Sequence, residues 1–289
     1  MTYLLLSILA STVIFIVFNL FKKFNVHTLQ AIVINYVVAG ICGLIASGKE
    51  IDVPAITAAA WFPGAVGLGL LFIVIFNLMA ITTQRSGLAV VSVATKMSVV
   101  IPVLFGILYY SESAGTLKIV GILLAVVAVY LASVKPENDL SVEPKNLLFP
   151  ILVFLGSGVI DTSLKYLEGT YVASNEIPLF SASIFASAFI FGMFIILFLA
   201  IRRKLKFQAK NLLAGIGLGI PNYFSIYFLV QALRESGLDS SSLFTVNNVG
   251  IVLVATLVGI VAFRERLSVT NWVGLGLAIL GIVLISLSI

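Results

Sequence analysis

The 289-residue chain is 61% hydrophobic and only 10% charged, with a formal net charge of +5. Soluble domains average about 25% charged residues, so these charges are too few for a water-facing surface, and the chain reads as an integral membrane protein. Its one cysteine, Cys42, excludes an internal disulfide, and its one histidine, His27, excludes a histidine-based metal cluster.

A helix needs about 20 apolar residues to cross the hydrocarbon core. Runs of that kind cover 3–21, 28–46, 61–83, 87–109, 116–134, 147–167, 177–201, 211–233, 238–263 and 271–289. None alternates polar and apolar residues as strands of an outer-membrane barrel do. The expected fold is therefore all-α, an integral membrane bundle of ten transmembrane helices. The first run has no Lys or Arg before it and Lys22-Lys23 after it, so it reads as a first span rather than a removable signal. Connections are short, and the longest charged one, 135–146, separates spans five and six.

The basic residues fall in these gaps as topology signals, which argues against nucleic acid as a partner. Lys22, Lys23, Arg85, Lys135, Lys145, Arg202, Arg203, Lys204, Lys206, Lys210, Arg264 and Arg266 follow odd-numbered spans, whereas Lys49, Lys118, Lys165 and Arg234 follow even-numbered ones. The positive-inside rule then puts both termini outside the cytoplasm, in a multi-pass protein of the cell (inner) membrane.

The stretch 86–132 recurs at 236–287. Ser86-Gly87-Leu88 falls on Ser236-Gly237-Leu238, Ser92 on Ser242, Thr95 on Thr245, Glu112 on Glu265 and Gly121 on Gly274. The second copy is longer by three residues between the Ser-Gly-Leu and the Glu. The expected organisation is a first five-helix unit over 1–134, a connecting loop over 135–146 and a second five-helix unit over 147–289. Five is odd, so the second unit enters the membrane in the opposite direction, the inverted-repeat architecture of secondary transporters.

The residues that close each repeat, Pro102–Glu112 followed by Gly121 and Gly259–Leu267 followed by Gly274, resemble a pattern in which one helix ends in Glu and a Gly-rich helix follows. The chain is similar in this to the EamA-type branch of the drug/metabolite transporter superfamily. That resemblance implies ten helices in two five-helix repeats and movement of small organic solutes, often outward.

Ionisable side chains inside a membrane are costly, about 2.5–3.5 kcal/mol on insertion scales, and are read first as sites. Lys96 lies ten residues into span four, on one helical face with Ser92 and Thr95. It fits either a ligand for an anionic group such as a carboxylate or a gate pairing with an acid; a structural ion pair or a snorkelling lysine fits as well. Asp161 is the one carboxylate well inside a predicted run, spaced to pair with Lys165 one turn on. A local pair and a proton or substrate site both stand as readings. Span eight carries Asn222 and a stripe of Tyr223, Tyr227 and Gln231 after Pro221, which should kink the helix. In the repeat, Tyr227 falls on Asn77 of span three. Span nine adds Ser242, Thr245 and Asn248 on one face, with Asn247 beside it. The stripes suit a cavity for a zwitterionic or aromatic solute; each residue singly also fits interhelical hydrogen bonding. Asn35-Tyr36 in span two are a weaker pair of the same kind. Glu112 and Glu265 end spans where water reaches them, and read as loop or capping partners. No phosphate-cradling loop is present, so ATP would act through a separate subunit.

The expected function is a secondary transporter, an exporter, of small organic metabolites with amino acids or amino-acid-like solutes favoured. Lys96, Asn77, Thr95, Tyr223, Tyr227, Gln231, Thr245 and Asn248 would form the solute site, with Asp161 and Lys165 coupling or tuning charge and no cofactor. Its partners would be the small-molecule substrate and the lipid bilayer; a monomer suffices, and a dimer also fits. A non-transporting scaffold or sensor is the alternative. An intramembrane enzyme would need a second facing acid or a histidine within a span, and the runs supply neither.

Overall fold

The computed structural model describes residues 1–48, 52–86, 94–112, 114–133, 148–202, 208–263 and 268–287. Within them the helices are α1 (Thr2–Lys23), α2 (Thr28–Ser47), a short α3 (Val53–Ala58), α4 (Phe62–Ser86), α5 (Val100–Tyr109), α6 (Thr116–Ser133), α7 (Leu148–Tyr171), α8 (Ile177–Ile201), α9 (Ala209–Glu235), α10 (Ser240–Phe263) and α11 (Val269–Ser286). Six stretches are long and apolar enough to cross a membrane, and four shorter apolar helices lie beside them among the described residues. The chain is an all-α, multi-pass membrane protein. Hydropathy did not reveal α3, a six-residue helix with no buried residue, started by the Asp52 carboxylate on Ala55 N–H.

Span four departs from the uninterrupted run read from the sequence. Residues 94–97 form one helical turn, the chain loosens at Ser98 and Val99, and α5 begins at Val100. Pro102 is the cause: it has no N–H to give the Ser98 carbonyl, which takes the Ile101 N–H at 2.9 Å instead. The Ser98 hydroxyl folds back onto the Thr95 carbonyl at 2.6 Å. Residues 87–93, with Ser92, lie outside the described residues.

The helices sort their faces by lipid and bundle. On α6, Leu117, Val120, Leu123, Val127 and Tyr130 are exposed, whereas Lys118, Ile122, Ala125 and Val129 are buried. Exposed apolar side chains at helical spacing are what a lipid-facing stripe requires. Inside, α6 packs on α11, α9 on both α1 and α2, α8 on α2 and α4, α7 on α4 and α5, and α10 on α1, α5 and α6.

Small residues permit these approaches. In the run 215–219, a Cβ on Gly219 would lie 2.8 Å from the Asn35 carbonyl of α2, and one on Gly215 2.8 Å from the Ala31 carbonyl. Gly217, between them, faces open space. Gly219→Leu should therefore destabilise the fold by about 1–3 kcal/mol through overpacking against backbone, while Gly217→Leu should leave it unchanged. Melting of the two purified variants in detergent checks the contrast.

Candidate functional site

The Lys96 side chain turns into the bundle and is 7% exposed. Its Nζ donates to Asn248 Oδ1 of α10 at 3.4 Å and stands 4.8 Å from the centroid of the Phe15 ring of α1. Asn248 gives its own Nδ2 to the Phe244 carbonyl one turn back, at 3.1 Å, which aims its oxygen at the ammonium. The Asp161 carboxylate of α7 acts electrostatically on Lys96. The chain thus assembles an ammonium, an amide oxygen, an aromatic face and a carboxylate from four parts of the bundle, beside the break in span four. Such a set can take a carboxylate on Lys96 and a polar or cationic group toward Asp161.

Lys165 is occupied by Glu168 rather than by Asp161, the partner that helical spacing offered as one of two readings. Its Nζ lies 3.5 Å from Glu168 Oε2 and 5.7 Å from the centroid of the Tyr110 ring. The sequence reading ended span six at 167; α7 runs on through Tyr171 and takes Glu168, 2% exposed, inside. Arg234 holds that carboxylate, with Nε on Oε1 at 2.8 Å, and also donates to the Val172 carbonyl at 2.7 Å and the Ser174 hydroxyl at 2.7 Å. Both residues escaped the sequence reading because each sits at the end of an apolar run, where a charge normally meets water.

The span-eight stripe lies within α9, which continues past Pro221. Tyr223 and Tyr227 stack at 5.8 Å, and Gln231 donates to the Tyr227 hydroxyl at 3.1 Å. Tyr223 is fully buried and its hydroxyl has no hydrogen-bond partner among the described residues, as is also true of Tyr36. Rings continue from Tyr223 through Phe185 to Tyr36, Phe72 and Phe76. Asn222 pairs with Asn35 at 3.0 Å, which joins α9 to α2. Thr245 donates to the Ser241 carbonyl at 2.7 Å and Asn77 to the Ile73 carbonyl at 2.7 Å, each within its own helix. Thr95, half-buried, precedes Lys96. Among the described residues no cluster of three metal-ligating side chains occurs.

Residues 147–287 match the model of the EamA-like transporter family. An uncharacterised protein of Haemophilus influenzae is 28% identical over 278 residues, which are 94% of this chain and 93% of that protein. A crystal structure titled only as that of a protein superposes with a TM-score of 0.81 at 13% identity, over 99% of this chain and 96% of the other; at that identity it shows the fold alone. Fold and buried charge define a multi-pass α-helical membrane protein with ionisable groups held inside the bundle. The match over 147–287 supports an EamA-type member of the drug/metabolite transporter superfamily.

A double-mutant cycle tests the central contact. Asn248→Leu takes the amide oxygen from the Lys96 ammonium and should cost about 1–3 kcal/mol of stability. Adding Lys96→Met should recover part of that loss, a coupling of about 0.5–3 kcal/mol. Strictly additive losses in thermal unfolding would contradict the contact.

Proposed function

We propose that the protein is a secondary transporter that exports small organic metabolites, amino acids or amino-acid-like solutes above all, across the cell (inner) membrane by alternating access. Ten spans form two inverted five-helix units, 1–134 and 147–289, joined by 135–146, with both termini outside the cytoplasm. A single chain suffices for the pathway.

The packing supports the repeat. Counting α1, α2, α4, α5 and α6 as the first five spans and α7 to α11 as the second, most of the strong contacts have a counterpart when the units are exchanged, although that of α6 with α10 does not. The contact of α1 with α9 becomes that of α7 with α4, α2 with α9 becomes α8 with α4, and α1 with α10 becomes α7 with α5. The pairs α6–α11, α2–α8 and α5–α10 map onto themselves. An axis relating two inverted units would give this pattern, and such transporters bind solute where the units meet, at interrupted helices.

The observation that carries the reading is the inward ammonium of Lys96 on Asn248 beside the break in span four. In this scheme Lys96 takes the solute's carboxylate, and Asp161 tunes the charge of the site and faces the solute's amino group. Asn77, Thr95, Thr245, Asn248, Tyr223, Tyr227 and Gln231 line the path; the aromatic stripe stacks with an apolar or aromatic solute side chain. Lys165, drawn to Glu168, helps order the end of α7.

Flux of a panel of amino acids in proteoliposomes tests this directly. At least one should move. Lys96→Ala should lower its flux about tenfold or more, the scale of one lost charge-assisted contact. A proton-coupled carrier should respond to an imposed pH gradient, whereas a facilitator should not. Unchanged flux of every solute in Lys96→Ala would remove Lys96 from the site.

A further inference from the structure

One end of the bundle carries a second set of buried charges that the solute site does not use. Glu112 follows α5, and its carboxylate reaches across to the first turn of α10. It accepts the Ser240 N–H at 2.8 Å, the Ser241 N–H at 2.9 Å and the Ser240 hydroxyl. A carboxylate at the start of a 24-residue helix satisfies donors that lack partners within the helix and meets the positive end of its dipole. The backbone is shaped for this reach: Ser111 sits at φ 53°, and Glu112 N–H returns to the Gly106 carbonyl at 3.3 Å. Gly106 leaves the room, since a Cβ there would lie 2.8 Å from Glu112 Oε2 and 2.9 Å from Ser240 Oγ. The expected capping role of Glu112 is what the structure shows, but the side chain is 8% exposed rather than in water.

Lys118, in the first turn of α6, completes the set. It is 1% exposed, 3.9 Å from Glu112 Oε2 and 2.7 Å from Asp239 Oδ2. The Asp239 side chain is 45% exposed, so water touches only the outer edge of the cluster. The clasp ties α5 and α6 to α10, and these helices carry the solute site: Lys96 precedes α5, and Asn248 lies eight residues along α10 from Ser240, about 12 Å. The two units are unequal here. The repeat register that sets Glu112 on Glu265 and Gly121 on Gly274 sets Lys118 on Asn271. Asn271 carries no charge; it caps α11 through Ser268 and donates to the Leu131 carbonyl. Among the described residues the ion pairs all fall at the Glu112 end.

We propose that Glu112, Lys118, Asp239 and the N-terminus of α10 form a charged latch that closes this end over Lys96 and opens when solute passes that way. The latch rests on the transport reading above, of which it is the gate. Breaking it exposes an ammonium, a carboxylate and helix N–H groups to incoming water, which rehydrates all of them; closing it excludes that water from the site.

Distances across the latch test this without a known solute. Nitroxide labels on Gly115→Cys and Glu235→Cys, in a Cys42→Ser background, report the separation of the α5–α6 turn from the end of α9 in lipid-reconstituted protein. The unmodified latch should give one dominant short distance. Glu112→Gln and Asp239→Asn should each raise the share of a longer population about twofold or more. If Glu112→Gln does not fold, Asp239→Asn, at a side chain that already meets water, decides alone. Distributions identical to the parent would reduce the cluster to a static cap and overturn the proposal. A shifted distribution in a protein that moves no solute would leave the latch standing and remove the transport reading, while flux with unmoved distances would do the reverse.

Discussion

An ammonium group kept from both water and lipid is the constraint around which the rest is arranged. Lys96 must have partners wherever the chain puts it, because an unpaired charge in hydrocarbon is among the most expensive features a membrane protein can hold. The bundle meets the demand with an amide oxygen from α10, an aromatic face from α1 and the field of a carboxylate on α7. None of these groups is near Lys96 in sequence. The helices must therefore converge, and the loosened backbone at Ser98 and Val99 sits where they do.

Around that point the bundle divides into firm and releasable contacts. Asn35 with Asn222 and Gln30 with Asn211 join α2 to α9 through buried amides, and Gly215 and Gly219 let the two backbones close. Such contacts have no water-filled alternative and hold the helices as one body. The contacts of α5 and α6 with α10 are different in kind. Deeper in, Ala125, Ala128 and Val129 of α6 pack on Val249 and Val252 of α10, but at the Glu112 end the contacts run through charges that water can solvate once admitted, so opening and closing there exchange one set of strong interactions for another. A transporter needs both kinds, because rigid parts must move relative to each other about a fixed site.

Much of the fold was legible because hydrocarbon imposes one demand on every span. Nine apolar runs were found close to their helix bounds, with 177–201 matching α8 as drawn. The tenth failed locally: periodicity cannot see that Pro102 leaves the Ser98 carbonyl without a donor, so the break beside Lys96 was missed. Lys96 itself stood out because a lone charge in an apolar run has no bland context. Glu168, Arg234 and Lys118 did not, since a charge at the end of a run looks solvated. Only packing from other helices buries them, and that information is not local. Asp161 and Lys165 were one of two readings the spacing left open; Lys165 instead meets Glu168 three residues on in the same helix, a local alternative that was overlooked because 168 lay beyond the apolar run.

Water access to position 96 tests the account at its centre. In a Cys42→Ser background, Lys96→Cys can be treated with a membrane-impermeant thiol reagent from each face of right-side-out and inverted vesicles. A wet site served by alternating access predicts reaction from at least one face, with the accessible face changing when a transported solute is added. Reaction from neither face, with ready labelling by a lipid-soluble maleimide, would put that side chain in a dry interior and contradict the account.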